Sequence, residues 1–137
     1  MKPVKIFKKF SVFFLALCCT FITTLPAYAE EIQPMADSTS NANATLSISL
    51  DGQASCNVNI TIRLASYRIE AVMSLNKIGQ STPLKSWSSS GTGRLLLSQN
   101  YYVSKGYDYQ VTATITVKDS SGQLIESFST TSAVVHY

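Results

Sequence analysis

The stretch Ala54-Ser55-Cys56-Asn57-Val58-Asn59-Ile60-Thr61-Ile62-Arg63-Leu64 decides the fold. Its even positions are all apolar and its odd positions all polar. Side chains of an extended strand alternate between two faces, so this spacing puts one face in a core and the other in water. A helix would smear the same residues around its whole circumference. The pattern therefore predicts a half-buried β-strand. Upstream, Leu46, Ile48 and Leu50 continue the spacing, and Asp51-Gly52 stands between the two runs. Asp-Gly flanked by alternating residues predicts a hairpin through a tight primed turn, in which both residues take positive φ.

Further runs follow along the chain. Ile69, Ala71, Met73 and Leu75 share one face, and Tyr107, Tyr109, Val111, Ala113, Ile115 and Val117 form the second long alternation. Gly79 to Pro83 reads as a loop and Leu84 to Ser88, with Trp87, as a short strand. Ser88 to Gly93 reads as a turn. Arg94 to Gln99 restarts a strand whose Leu95, Leu96 and Leu97 have no assignable facing. Ser104-Lys105-Gly106 and Asp119-Ser120-Ser121-Gly122 are turns, and Leu124 to Val135 is a last extended segment. About seven strands with turn signals at this interval predict an all-β antiparallel sandwich, and no window carries a helical stripe.

The amino end is a different kind of polymer. Lys2, Lys5, Lys8 and Lys9 precede an apolar run from Phe10 to Leu25, then Pro26 and Ala27-Tyr28-Ala29. A positive end, an apolar middle and small residues at the −3 and −1 positions describe a signal peptide over residues 1–29, with Ala27 and Ala29 recognised by the signal peptidase. Cleavage there predicts a secreted, extracellular protein with no membrane attachment. Residues 30–43, rich in acids, Ser, Thr and Asn, read as a flexible polar tail, leaving 44–137 as the sandwich domain.

Removing the leader takes four of the 11 Lys and Arg and none of the 8 Asp and Glu, so the net charge turns from +3 to −1. No basic field remains to draw nucleic acid or an anionic membrane. Two of the three cysteines, Cys18 and Cys19, also leave. Cys56 then has no partner for an internal disulfide, and its place on an alternating apolar face makes it a small buried hydrophobe.

Catalytic donors are scarce. The one histidine is His136, beside the last residue, where chain ends fray, so a nucleophile–histidine pair is not expected. Zinc needs several Cys and His at close spacing, and calcium needs clustered acids; the sequence supplies neither. No glycine loop precedes a helix to cradle phosphate. The expectation is a non-catalytic protein with no metal and no cofactor.

The segment Val103-Ser104-Lys105-Gly106-Tyr107-Asp108-Tyr109-Gln110-Val111-Thr112-Ala113 resembles the tyrosine-corner stretch of fibronectin type III domains. The resemblance implies that Tyr109 is the corner tyrosine, its hydroxyl bonding back to the backbone, with Val111 and Ala113 facing inward on the next-to-last strand. Lys105 stands where that family usually has Pro. Against the related immunoglobulin pattern, Cys56 lies on a plausible second strand, but Val111 occupies the region of its disulfide partner and Trp87 comes too late. The chain is also similar to small secreted proteins of Gram-positive bacteria with no assigned activity. A shared fold carries no function with it.

Binding is the expected role, through surface contact with an unknown protein or an extracellular or envelope glycan. Tyr67, Trp87, Tyr101 and Tyr102 are the candidates, since amphipathic rings serve sugar platforms and protein interfaces. Each also has a packing role available: Trp87 as a core plug, and one of Tyr101 and Tyr102 facing inward while the other faces water. The chain is expected to be a monomer or to self-associate weakly; the alternatives are a structural protein whose edge strand at Leu124 to Val135 pairs between copies into an oligomer or matrix fibre, and, last, a small hydrolase or inhibitor.

Overall fold

The computed structural model describes residues 38–137. The leader with Ala27 and Ala29, and the first part of the polar tail, lie outside the described residues. Eight strands follow in order: β1 (Thr39–Ile48), β2 (Gln53–Ile62), β3 (Arg68–Lys77), β4 (Lys85–Thr92), β5 (Arg94–Tyr102), β6 (Asp108–Lys118), β7 (Leu124–Thr131) and β8 (Val135–His136). All pairings are antiparallel, and the described residues contain no helix. Sheet A runs β1-β2-β5, and sheet B runs β4-β3-β6-β7 with β8 also pairing with β6. The protein is all-β, with a sandwich-like pair of sheets.

The two long alternations explain the interior. Cys56, Val58 and Ile60 of β2 face Ile69, Met73 and Leu75 of β3 and Val111, Ile115 and Val117 of β6, every one fully buried. β2 is central in sheet A, and β3 and β6 are central in sheet B, so the strands with the cleanest period-two pattern are those flanked on both sides. Leu95 and Leu97 of β5 point inward, and Leu96 points out.

Several boundaries differ from the sequence expectation. Strand β1 begins at Thr39, so Thr39 to Asn43 belong to the sheet rather than to a tail. They pair with Asn59 to Ile62 of β2, and the first of them is tied to the other sheet by Glu126 of β7. Its carboxylate is buried and accepts hydrogen bonds from Ser38 Oγ and, at 3.0 Å, from Thr39 Oγ1, joining the start of β1 to the other layer. Leu50 and Leu64, counted with the apolar faces, lie in loops; Leu50 is 99% exposed at a turn tip. The β1–β2 turn is not of the primed type. Gly52 alone takes positive φ (87°), Gly52 N–H donates to Ser49 O at 2.9 Å, and Ser49 N–H donates to Gln53 O at 3.0 Å. That is the longer hairpin loop built on a type I turn, in which only the glycine enters the left-handed region.

Ser88 to Thr92 form the second half of β4 rather than a turn. The chain then crosses from sheet B to sheet A at Gly93 alone, with φ 69°. Gly93 N–H donates to Tyr67 O, Ile62 N–H donates to Gly93 O, and a Cβ placed on Gly93 would sit 3.1 Å from Ala65 Cα. The crossing is therefore tight and open only to glycine. The last extended segment is also broken. β7 ends at Thr131, and buried Ser132 turns the chain, its Oγ accepting from Val111 N–H at 2.9 Å and donating to Ala133 O at 2.8 Å.

Candidate functional site

The polar halves of the alternations build a surface of their own. On the outer face of sheet B the register aligns Ser90, Glu70, Thr116 and Ser127 in one row across the four strands. The next row is Ser88, Val72, Thr114 and Ser129, and the next Ser86, Ser74, Thr112 and Thr131. Apart from Glu70 and Val72, every position in this block is a hydroxyl residue. Along a strand, successive outward residues lie roughly 6.7 Å apart, and neighbouring strands about 4.8 Å apart, so the hydroxyls form a regular lattice. Some are fixed by their neighbours: Ser74 and Ser86 hydroxyls meet at 2.8 Å, and Asn76 Nδ2 donates to Thr112 Oγ1 at 2.9 Å.

This face carries a shallow groove of about 490 Å³, lined by Arg68, Glu70, Val72, Ser88, Ser90, Thr114 and Thr116 together with Ala71 and Ser89. Val72, about half exposed, supplies an apolar spot in an otherwise polar floor. One end is charged. Glu70 Oε2 accepts from Lys118 Nζ at 2.8 Å, and Glu70 Oε1 lies 3.3 Å from Arg68 Nε. The Lys118 bond, with the positive charges of Lys118 and Arg68, holds the Glu70 carboxyl below its ordinary value. Two cations against one anion leave that end positive. Hydroxyls that both donate and accept, one apolar spot and a charged end can take a ligand dense in hydroxyl groups.

The aromatic candidates do not gather into one platform. Trp87 and Tyr101 face inward and pack edge to face, centroids 6.4 Å apart at 72°, where β4 and β5 leave the side between the sheets open. Tyr67 is half-buried against the core from the β2–β3 loop. Tyr102 is 65% exposed on the outer face of sheet A. Tyr107 is exposed at the end of the sandwich with Lys77 Nζ 3.1 Å above its ring. Tyr109 is buried, and its hydroxyl donates to Ser104 O at 2.6 Å. Val111 is fully buried beside it.

His136 lies in a strand rather than in a loose end. It pairs with Asp108 through β8, and its Nδ1 lies 2.6 Å from Asp108 Oδ1. The following residue is anchored as well: Tyr137 N–H donates to Tyr107 O at 3.0 Å, and its hydroxyl donates to Leu50 O at 3.0 Å. The imidazole is exposed, whereas Cys56 is enclosed between the sheets, where burial pushes its thiol up to about 11. A thiol so placed is neither ionised nor reachable at neutral pH. Among the described residues no group of three or more His, Cys, Asp or Glu could hold a metal ion.

The hydroxyl lattice was missed because the apolar half of each alternation carries the fold signal. The complementary half, Thr112-x-Thr114-x-Thr116 and Ser86-x-Ser88-x-Ser90, was equally visible in the chain. No family model matches this sequence, and no curated protein matches it.

Proposed function

We propose that this is an exported, non-catalytic module that binds an extracellular or envelope glycan on the outer face of sheet B. The leader over residues 1–29, cut after Ala29, would bring it outside the cell. A fibronectin type III-like sandwich would be its scaffold, a reading supported by the strand order β1-β2-β5 and β4-β3-β6-β7 and by the Tyr109 hydroxyl returning to the Ser104 carbonyl. The observation that carries the binding role is the continuous hydroxyl lattice around Val72, with the Arg68–Glu70–Lys118 cluster at its edge. Each Ser or Thr can donate to one sugar hydroxyl and accept from another, and the apolar spot at Val72 suits the C–H face of a sugar ring. Single contacts of this kind are weak, so affinity comes from repetition along a polymer.

The test is retention of the purified protein on insoluble peptidoglycan, chitin and cellulose and on immobilised starch, compared with Ser88→Lys and Thr114→Lys. Both side chains are exposed, so neither substitution reaches the interior. Retention on one of these polymers that drops about tenfold in the variants, equivalent to roughly 1.4 kcal/mol, is the expected result. Binding that ignores both substitutions, or no binding to any of the four, removes the proposal.

A further inference from the structure

The edges of the two sheets are not guarded alike. On one side of the sandwich, β1 carries a bulge at Ser40 and β7 a bulge at Ile125. Bulges of this kind twist an edge away and discourage pairing with another chain. On the other side, β4 is preceded by Pro83 and begins with Lys85. Strand β5 begins with Arg94 and then carries no charge, no proline and no bulge through Tyr102.

Its free hydrogen-bonding groups point away from β2. Ile62 N–H donates to Gly93 O at 3.0 Å and Val103 N–H to Gly52 O at 2.9 Å. In the intervening register Leu95, Leu97, Gln99 and Tyr101 lie opposite Ile60, Val58, Cys56 and Ala54. The odd-numbered residues therefore bond to β2. The N–H and C=O groups of Leu96, Ser98, Asn100 and Tyr102 point to the opposite, open edge. Among the described residues, β5 is paired on the β2 side only.

The sequence along this edge is symmetric in character. Leu95-Leu96-Leu97, then Ser98-Gln99-Asn100, then Tyr101-Tyr102-Val103 run apolar, polar, apolar about Gln99. Turning the strand antiparallel against itself at that centre matches like with like on both faces. On the outer face Leu96 meets the partner's Tyr102, and Ser98 meets the partner's Asn100. On the inner face Leu97 meets the partner's Tyr101, and Gln99 meets the partner's Gln99. The even-numbered residues, whose backbone groups are free, are those brought into hydrogen-bonded register. The only charge, Arg94, falls beyond the paired stretch, so no like charges oppose one another. This pairing also accounts for two large apolar side chains on one outer face, Leu96 at 62% and Tyr102 at 65% exposure.

We propose that a second copy of this chain docks on β5, edge to edge across a two-fold axis at Gln99, making sheet A continuous through both copies. The axis falls on a non-hydrogen-bonded pair, the arrangement in which opposing Cα atoms come closest, about 4.5 Å apart and within disulfide range. A Gln99→Cys variant therefore reads the register directly. With Cys18 and Cys19 replaced by Ser in both variants, the remaining native thiol, Cys56, is fully buried and does not compete. Three results are expected. The purified wild-type protein sediments as a dimer at high micromolar concentration. Gln99→Cys forms a disulfide-linked dimer under mild oxidation more than about tenfold faster than Ser120→Cys in an exposed turn, because pairing raises the local thiol concentration. Leu96→Lys, at a solvent-facing site, returns the protein to monomer with unchanged near-ultraviolet circular dichroism. A protein that stays monomeric to near-millimolar concentration overturns the proposal. So does a dimer indifferent to Leu96→Lys, or cross-linking of Gln99→Cys no faster than that of Ser120→Cys.

Discussion

Replacing Tyr109 by Phe isolates a single bond. The ring is 1% exposed and fills the interior in both forms, so packing is conserved. What disappears is the donation from the hydroxyl to Ser104 O at 2.6 Å. A neutral hydrogen bond contributes about 1 kcal/mol net, and more when its loss strands a buried partner. Ser104 itself is exposed, so water takes over its carbonyl, and the loss stays near about 1 kcal/mol. For a domain of this size that lowers the melting midpoint by roughly 4–8 °C. The hydroxyl also leaves an alkaline signature. Burial pushes its ionisation above the ordinary value of 10.0. A group with a raised folded-state pKa contributes stability that is complete below the unfolded value and lost as pH rises through the folded one. The wild type therefore loses this advantage above about pH 10, while the Phe variant has none to lose, and the gap between them narrows. Urea unfolding at pH 7 and at a series of values above pH 10 measures both effects. Equal midpoints at pH 7 with equal slopes would show that the hydroxyl holds nothing.

Gly93→Ala should destabilise by about 2–3 kcal/mol, from left-handed backbone plus the crowding against Ala65, whereas Gly79→Ala, with φ 88° and open space around it, should lose only about 1 kcal/mol. Chemical denaturation of the two variants side by side checks the difference. Acid should weaken the fold below about pH 4.5. Ser121 and Gln123 donate to Asp119, Ser49 and Gln53 to Asp51, and Lys118 to Glu70, and each carboxyl is held below its ordinary value. Depressed folded-state values give stability that is present above the unfolded pKa and lost as pH falls through the folded one. Asp119→Ala should be less stable than wild type at pH 6, and the gap should narrow as pH falls through the folded-state value, as read by urea midpoints across an acid series.

The central strands were legible because each has one face in the interior and one outside, which imprints the two-residue period directly on β2, β3 and β6. Edge strands obey weaker rules. In β4 the inward positions are Trp87, Ser89 and Gly91, which cover an open side rather than fill a core, so Ser88 to Thr92 carried no apolar alternation and resembled a turn. In β5 the run Leu95-Leu96-Leu97 hid the facing, because the outward position is as apolar as its neighbours. The start of β1 depends on Glu126, some 87 residues away along the chain, and no local pattern can announce such a partner. Of the candidate site, the single exposed tyrosine of the Tyr101–Tyr102 pair followed from alternation alone. The hydroxyl lattice depended on register, since rows such as Ser88, Val72, Thr114 and Ser129 form only once four strands are laid side by side.

The described chain enters β1 at one end of the strands, where Thr39 lies opposite Ile62, and leaves β8 at the other, where Val135 lies opposite Tyr109. Tension applied between Ser38 and Tyr137 thus runs along the strand axes. The cross-links between β1 and β2 lie perpendicular to that pull and are loaded in shear together, rather than opened one after another like a zip. Such an arrangement resists stretching better than one in which the same bonds are opened singly.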